Sequence, residues 1–301
     1  MRLLLFIFIS FLSVSSTWAQ IRDLQTARLN SAAGTGVASI LMTEGSILNP
    51  ASSAFFDGSG LSYQNTTVSL QNENDSRKTP SSDRKWSNPR TQAAFASDHS
   101  GDVKGGVSYQ NQRENGFERT RYTLHGASMT GKNSSVGLLY RYTEDERPSY
   151  YKPTRHKTFH QLVMGTTMVV SEDLTIGAII IDPLKANKGD ERIIGGFQYG
   201  ITQKLLLSAD VGTQQSRSFQ SRYLWRAALQ FNLFSDFYIR AGKFYDHITF
   251  FEGSGWGISW IGPKLGIEFA QKLSERLPEK NTYLFEKEKI VDTTLSAILR
   301  F

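Results

Sequence analysis

From Gly60 to Phe301, apolar and polar residues alternate with a period of two, in segments of about ten residues bounded by turn-forming stretches. Tyr223, Trp225, Ala227, Leu229, Phe231 and Leu233 alternate with Arg222, Leu224, Arg226, Ala228, Gln230 and Asn232. Ile193, Phe197, Tyr199 and Ile201 alternate in the same way with Arg192, Ile194, Gln198 and Gly200. One face is apolar and aromatic; the other mixes glycine, amide and charge. Fourteen such segments can be counted, centred near Tyr63, Phe95, Val107, Leu124, Leu138, Val163, Ile176, Phe197, Leu207, Ala227, Ile239, Ile258, Ile267 and Ala297.

The connections between them fall into two classes. Short ones include 130–133, 171–173, 202–204, 234–236 and 262–264; longer polar ones include 71–89, 144–157, 183–191, 213–219, 247–254 and 272–290. Short turns on one rim and long loops on the other, with an even strand count, predict an all-β fold: a transmembrane antiparallel β-barrel of about fourteen strands over residues 60–301. Shared among fourteen segments, that span allows roughly 17 residues for a strand and its connection, enough for tilted strands of ~9–11 residues. A bilayer tolerates no open sheet edge, so the strands must close on themselves. The glycines spread through the strands are expected to relieve crowding inside a small barrel.

The N-terminus fits that setting. Arg2 precedes an apolar run from Leu3 to Leu12, too short to span a bilayer, and Thr17-Trp18-Ala19 leaves small residues at −3 and −1. Residues 1–19 are expected to be a signal peptide, with a mature chain from Gln20. At the other end Leu295, Ala297, Leu299 and Phe301 share one face. An amphipathic last strand closed by an aromatic residue resembles the assembly signal of bacterial outer-membrane barrels. That likeness implies the outer membrane as location, and its lipid and barrel-assembly machinery as partners.

Composition removes other classes. A mean hydropathy of −0.34 excludes a polytopic helical membrane protein. The net charge of +6 comes without any run of Lys or Arg, so nucleic acid is not an expected partner. Zero cysteines exclude disulfides, thiol nucleophiles and thiolate metal sites, and no metal or other cofactor is expected. Catalytic parts are also poorly placed. His125 and Ser128 fall on opposite faces of a strand, and His156 and His160 lack the helical context of a zinc pair. Asp246-His247 reads as a solvated loop edge. The chain is expected not to be an enzyme.

Residues 20–59 do not alternate. A stretch rich in small residues, 31–39, leads to an acidic turn at Glu44 and then to Asn49-Pro50-Ala51. Asn49 is a good helix N-cap and Pro50 suits the first helical position, so a short helix is expected over Pro50 to Phe55. Small residues followed by an acidic turn, Asn-Pro-Ala and a fourteen-strand pattern resemble the FadL-type outer-membrane transporter superfamily, which includes the PorV-like barrels. The resemblance implies that residues 20–59 plug the lumen, with Glu44, Asn49, Pro50 and Ala51 in the plug element. It also implies passage of small hydrophobic or amphipathic solutes, or alternatively a non-transport barrel that binds a secreted or surface partner. A general porin favouring anions is a further alternative.

With the aromatic faces toward lipid, Arg141, Arg192, Arg222, Arg226, Arg240, Lys264 and Arg300 should face inward, against Asp210 and Glu268, with His125 also inward. Seven cations against two anions call for partners, because an unpaired buried cation is expensive. Asp23, Glu44 and Asp57 of the plug, a ligand anion or water are the candidates.

Overall fold

The computed structural model describes residues 22–40, 45–71, 89–114, 117–147, 155–187, 189–217, 219, 221–277 and 289–301. The expected signal peptide, residues 1–19, and Glu44 lie outside them. Fourteen strands follow one another: β1 (Gly60–Gln71), β2 (Arg90–Asp98), β3 (Val103–Glu114), β4 (Phe117–Met129), β5 (Ser134–Arg147), β6 (Arg155–Val169) and β7 (Leu174–Ile181). The second half comprises β8 (Arg192–Thr202), β9 (Leu205–Gln214), β10 (Tyr223–Phe234), β11 (Phe237–Asp246), β12 (Phe251–Ile261), β13 (Leu265–Arg276) and β14 (Lys289–Arg300). Every strand pairs antiparallel with its sequence neighbours, and β1 also pairs with β14, which closes the barrel. Each of the fourteen anticipated segment centres falls within its own strand.

The period of two is what sorts the side chains. On β14, Leu295, Ala297 and Leu299 point outward, while Thr294, Ser296 and Ile298 are buried inside. On β10, Trp225, Leu229 and Phe231 are exposed outside, and Leu224, Arg226 and Ala228 are buried. The exterior is thus an apolar, aromatic surface, and Gln64, Gln110 and Gln161 are among the fully buried side chains within. A wall that is greasy on the outside and polar inside is what a bilayer selects.

Two connections on the long-loop rim are shorter than the alternation suggests. Residues 115–116 join β3 to β4, and 247–250 join β11 to β12.

The N-terminal segment packs against the inward faces. Helix α1 (Ala27–Ser31) is capped by Thr26, whose Oγ1 accepts the Leu29 N–H at 3.2 Å, and it lies against β12, β13 and β14. It ends where Ala33 and Gly34 take positive φ angles of 54° and 85°. A 3-10 helix spans Pro50–Phe55, the residues expected to be helical, and packs on β4, β5 and β6. The chain then leaves through Phe56–Ser59 at the short-turn rim, where Lys104 holds the Phe56 carbonyl and Asp57.

Candidate functional site

Asn49-Pro50-Ala51 is seated on the wall by shape and by hydrogen bonds. Asn49 Oδ1 accepts the Ala51 N–H at 3.0 Å, the capping role read from the sequence. Its amide does more: Nδ2 donates to the Val37 carbonyl at 2.6 Å and to Thr167 Oγ1 on β6 at 3.0 Å. The wall beneath has no side chains to spare. A Cβ on Gly137 of β5 would collide with the Pro50 and Ala51 backbone, and one on Gly165 of β6 with the Asn49 amide. These glycines serve close approach of two backbones.

Charge ties the segment to the barrel in both directions. Arg22 Nη1 and Nη2 bind the two carboxylate oxygens of Asp292 at 2.7 and 2.8 Å, and Nε binds Glu114 at 2.8 Å. Asp23 lies 3.5 Å from Arg121 and 3.7 Å from Arg192. Burial raises the Asp23 pKa, but the guanidiniums of Arg121 and Arg192, with Arg141 and Arg119 behind them, outweigh it and hold the carboxyl below the ordinary carboxylate range. Asp210 of β9 accepts the N–H groups of Gly36 and Val37 at 2.9 and 3.3 Å.

The residues assigned to the wall from the sequence fall in three places. Arg141, Arg192, Arg226 and Arg240 are buried on inward faces. Arg141 binds the Ile47 carbonyl, Arg226 binds the Gly34 carbonyl at 3.0 Å, and Arg240 lies 3.4 Å from Glu268. Arg222 sits in the turn before β10, donating to the His247 and Ile248 carbonyls and lying over the Phe250 ring. Lys264 lies exposed in the β12–β13 turn and Arg300 ends β14, both at the short-turn rim. Alternation gives the face of a residue but not its height, which is why Arg222, Lys264 and Arg300 are at the rims. Leu295 and Leu299 are exposed on the outer surface, and the Phe301 main chain exchanges hydrogen bonds with Ser59 at 2.9 and 3.0 Å.

Several residues of the lumen escaped the sequence reading. Arg119 and Arg121 share their parity with His125 on β4 and are buried; Arg119 pairs with Asp145 at 2.7 and 2.9 Å. Glu114, Asp145, Asp246 and Asp292 are buried acids near the strand ends, so the wall is less one-sided than seven cations to two. Strand parity could have found them; Asp145 lies in a stretch read as loop (144–157), and the others lie toward the polar ends of their segments, away from the apolar alternation.

The polar groups considered for catalysis are engaged structurally. His125 Nε2 meets Ser53 Oγ of the N-terminal segment at 3.0 Å. Ser128 is on the other face of the strand. Asp246 caps the Ile248 and Thr249 N–H groups, and His247 Nδ1 bonds the Ser221 carbonyl. His160 faces outward against Tyr140. Among the described residues no group of three potential metal ligands converges, and no helix is long and apolar enough to cross a membrane.

Two cavities in the lumen flank the N-terminal segment, and smaller ones of about 30 and 40 Å³ lie between it and the wall. The first, about 100 Å³, lies in the long-loop half among Arg121, Arg141, Arg192, Arg226, Asp23 and Lys272. The second, about 640 Å³, is a vestibule at the short-turn rim. Helix α1 and the turn after it stand between them: Leu29, Ala33 and Gly34 line the first, and Arg28 lines the second.

A closed fourteen-stranded antiparallel barrel, apolar outside and polar inside, defines the class: this is the fold of the FadL-type outer-membrane barrels. The CymD monoaromatic hydrocarbon channel superposes with a TM-score of 0.67 at 10% identity, over 91% of this chain and 96% of that one. The toluene transporter TbuX of Ralstonia pickettii gives 0.67 at 12% identity, over 93% and 98%. A FadL homologue of Pseudomonas aeruginosa gives 0.62 at 13% identity, over 93% and 99%. By sequence, no protein-family profile and no curated protein matches the chain.

Proposed function

We propose that this chain is a channel of the bacterial outer membrane that passes small hydrophobic or amphipathic solutes and is plugged by its own residues 20–59. The observation that carries this reading is the position of helix α1, which divides the lumen into an outer cavity and a vestibule. The structural neighbours named as hydrocarbon channels and toluene transporters support the solute class. In this topology the short-turn rim is periplasmic, the apolar exterior meets lipid, and β14 with Phe301 is the strand read by the assembly machinery. A solute crosses only if α1 moves.

The absence of cysteine allows a clean test. Asn30 Nδ2 of α1 donates to Thr294 Oγ1 of β14 at 2.8 Å, so paired cysteines at these positions can tie α1 to the wall. Uptake of a monoaromatic hydrocarbon and of octanoate into proteoliposomes should stop in the oxidised double variant and return on reduction. Equal flux in both states refutes a moving plug. No flux in any form, wild type included, refutes the channel.

A further inference from the structure

The outer surface of β2 and β3 carries a pair of cations where the apolar band ends. Arg90 and Arg113 are registered directly opposite each other on the two strands. Both point outward, since their sequence neighbours Thr91 and Gln112 are buried in the lumen. Arg90 stands eight residues up β2 from Asp98, and Arg113 ten residues up β3 from Val103. At ~3.3 Å per residue and a tilt of ~40°, that is about 20–25 Å above the short-turn rim, the top of an apolar band ~25 Å tall.

Like charges directly opposite each other on a sheet repel. Arg113 relieves this in part, sending Nε and Nη2 to Glu118 Oε1 at 3.2 and 3.0 Å. Arg90 is exposed and makes no hydrogen bond or ion pair among the described residues. The acids lie to one side, Glu118 on β4 and Glu146 opposite it on β5; on the other side Arg90 faces Thr67 of β1. The β2 end of the patch is therefore left cationic.

Beneath Arg90 the wall is grooved. The outward residues of β2 going down are Gln92, Ala94 and Ala96. Ala94 has Tyr63 on one side and Tyr109 on the other, and Ala96 has Leu61 and Val107, four side chains that stand exposed on the outer surface. Gln92 Nε2 donates to the Tyr63 hydroxyl at 3.0 Å. Two alanines between larger residues leave a shallow apolar channel leading down from the cations. A guanidinium pair at the membrane boundary, above a channel of this kind, matches a lipid with a phosphate head and an acyl chain.

We propose that the outer face of β1–β3 is a binding site for a phosphate-bearing membrane lipid, with Arg90 and Arg113 on the phosphate and an acyl chain along Ala94 and Ala96. The proposal rests on the outer-membrane reading and is independent of whether the lumen opens.

The test is native mass spectrometry of the full chain in detergent with dioleoylphosphatidic acid or dioleoylglycerol, which share their chains and differ in the phosphate. The phosphatidic acid should be retained about tenfold more than the glyceride. Arg90→Gln with Arg113→Gln should abolish that preference, with heat-modifiable gel mobility reporting a folded barrel. Should the double variant fail to fold, Arg90→Gln alone, which leaves the Arg113–Glu118 pair in place, must lower the preference about threefold. Lys132→Gln with Lys204→Gln, which removes the same charge from exposed turns at the short-turn rim, should leave it unchanged. Equal retention of the two lipids, an equal loss in the lysine variant, or displacement of the lipid by inorganic phosphate at the same concentration overturns the proposal. A barrel that inserts into liposomes but shows no phosphate preference refutes the site alone. One that cannot be inserted into lipid refutes the outer-membrane reading, and the site with it.

Discussion

The Arg22 clamp gives the sharpest test of how the N-terminal segment is held. Asp292→Ala removes two of the three charge-assisted bonds made by the Arg22 guanidinium and leaves only Glu114. It also strips Lys272, the cross-strand partner of Asp292, whose Nζ holds Gln25 Oε1 at 2.9 Å. Removing one partner of a fully buried pair costs ~3–5 kcal/mol. Arg22 is 17% exposed and borders the 100 Å³ cavity, so water and Glu114 recover part of that. A cost of ~2 kcal/mol on the docked segment is the working figure, about 30-fold in its release equilibrium. Asp292→Asn, which keeps one acceptor, should cost about half as much. The assay is open probability in planar bilayers, together with the rate at which protease cuts within residues 22–40. The double variant Arg22→Ala/Asp292→Ala should cost clearly less than the sum of the two single changes, because they share the Arg22–Asp292 contact. Full additivity, or an unchanged open probability in a correctly folded Asp292→Ala barrel, refutes the clamp.

Other perturbations bear on the same segment. Asn49→Ala loses a cap worth ~1 kcal/mol and strands the buried Val37 carbonyl, so it should release the segment by ~2–3 kcal/mol; Asn49→Asp keeps the cap but cannot donate to that carbonyl and buries a charge beside it, so it should cost at least as much, as read by protease cutting. Gly137→Ala should overpack against the Ala51 backbone by ~1–3 kcal/mol and open the channel more than Gly165→Ala, whose clash is with a side-chain amide, as read by conductance. Asp23 has a depressed pKa, so its pairing with Arg121 and Arg192 is fully present above the ordinary carboxylate value and fades as pH falls toward its folded value. Protease cutting of the segment should therefore be flat from about pH 5 to 8 and rise only below about pH 4.

The sequence by itself determined the barrel. Side chains alternate across a strand, so Trp225 and Arg226 could not share a face, and a chain repeating that pattern fourteen times had one closed solution in lipid. It also determined the 3-10 helix, since Asn49 and Pro50 are local signals that act within one turn. What it could not determine was which residues meet inside the lumen. Arg22 and Asp292 are 270 positions apart, and nothing local joins them. Closure of β1 on β14 brings them together, and only the docked segment fixes their height. The height of a residue along the barrel axis likewise depends on the register of strands on both sides, which is why Arg222, Lys264 and Arg300 are rim residues. Periodicity fixes a direction for each side chain; the tertiary structure fixes its partner, because the partners come from distant strands and from a segment that follows no period.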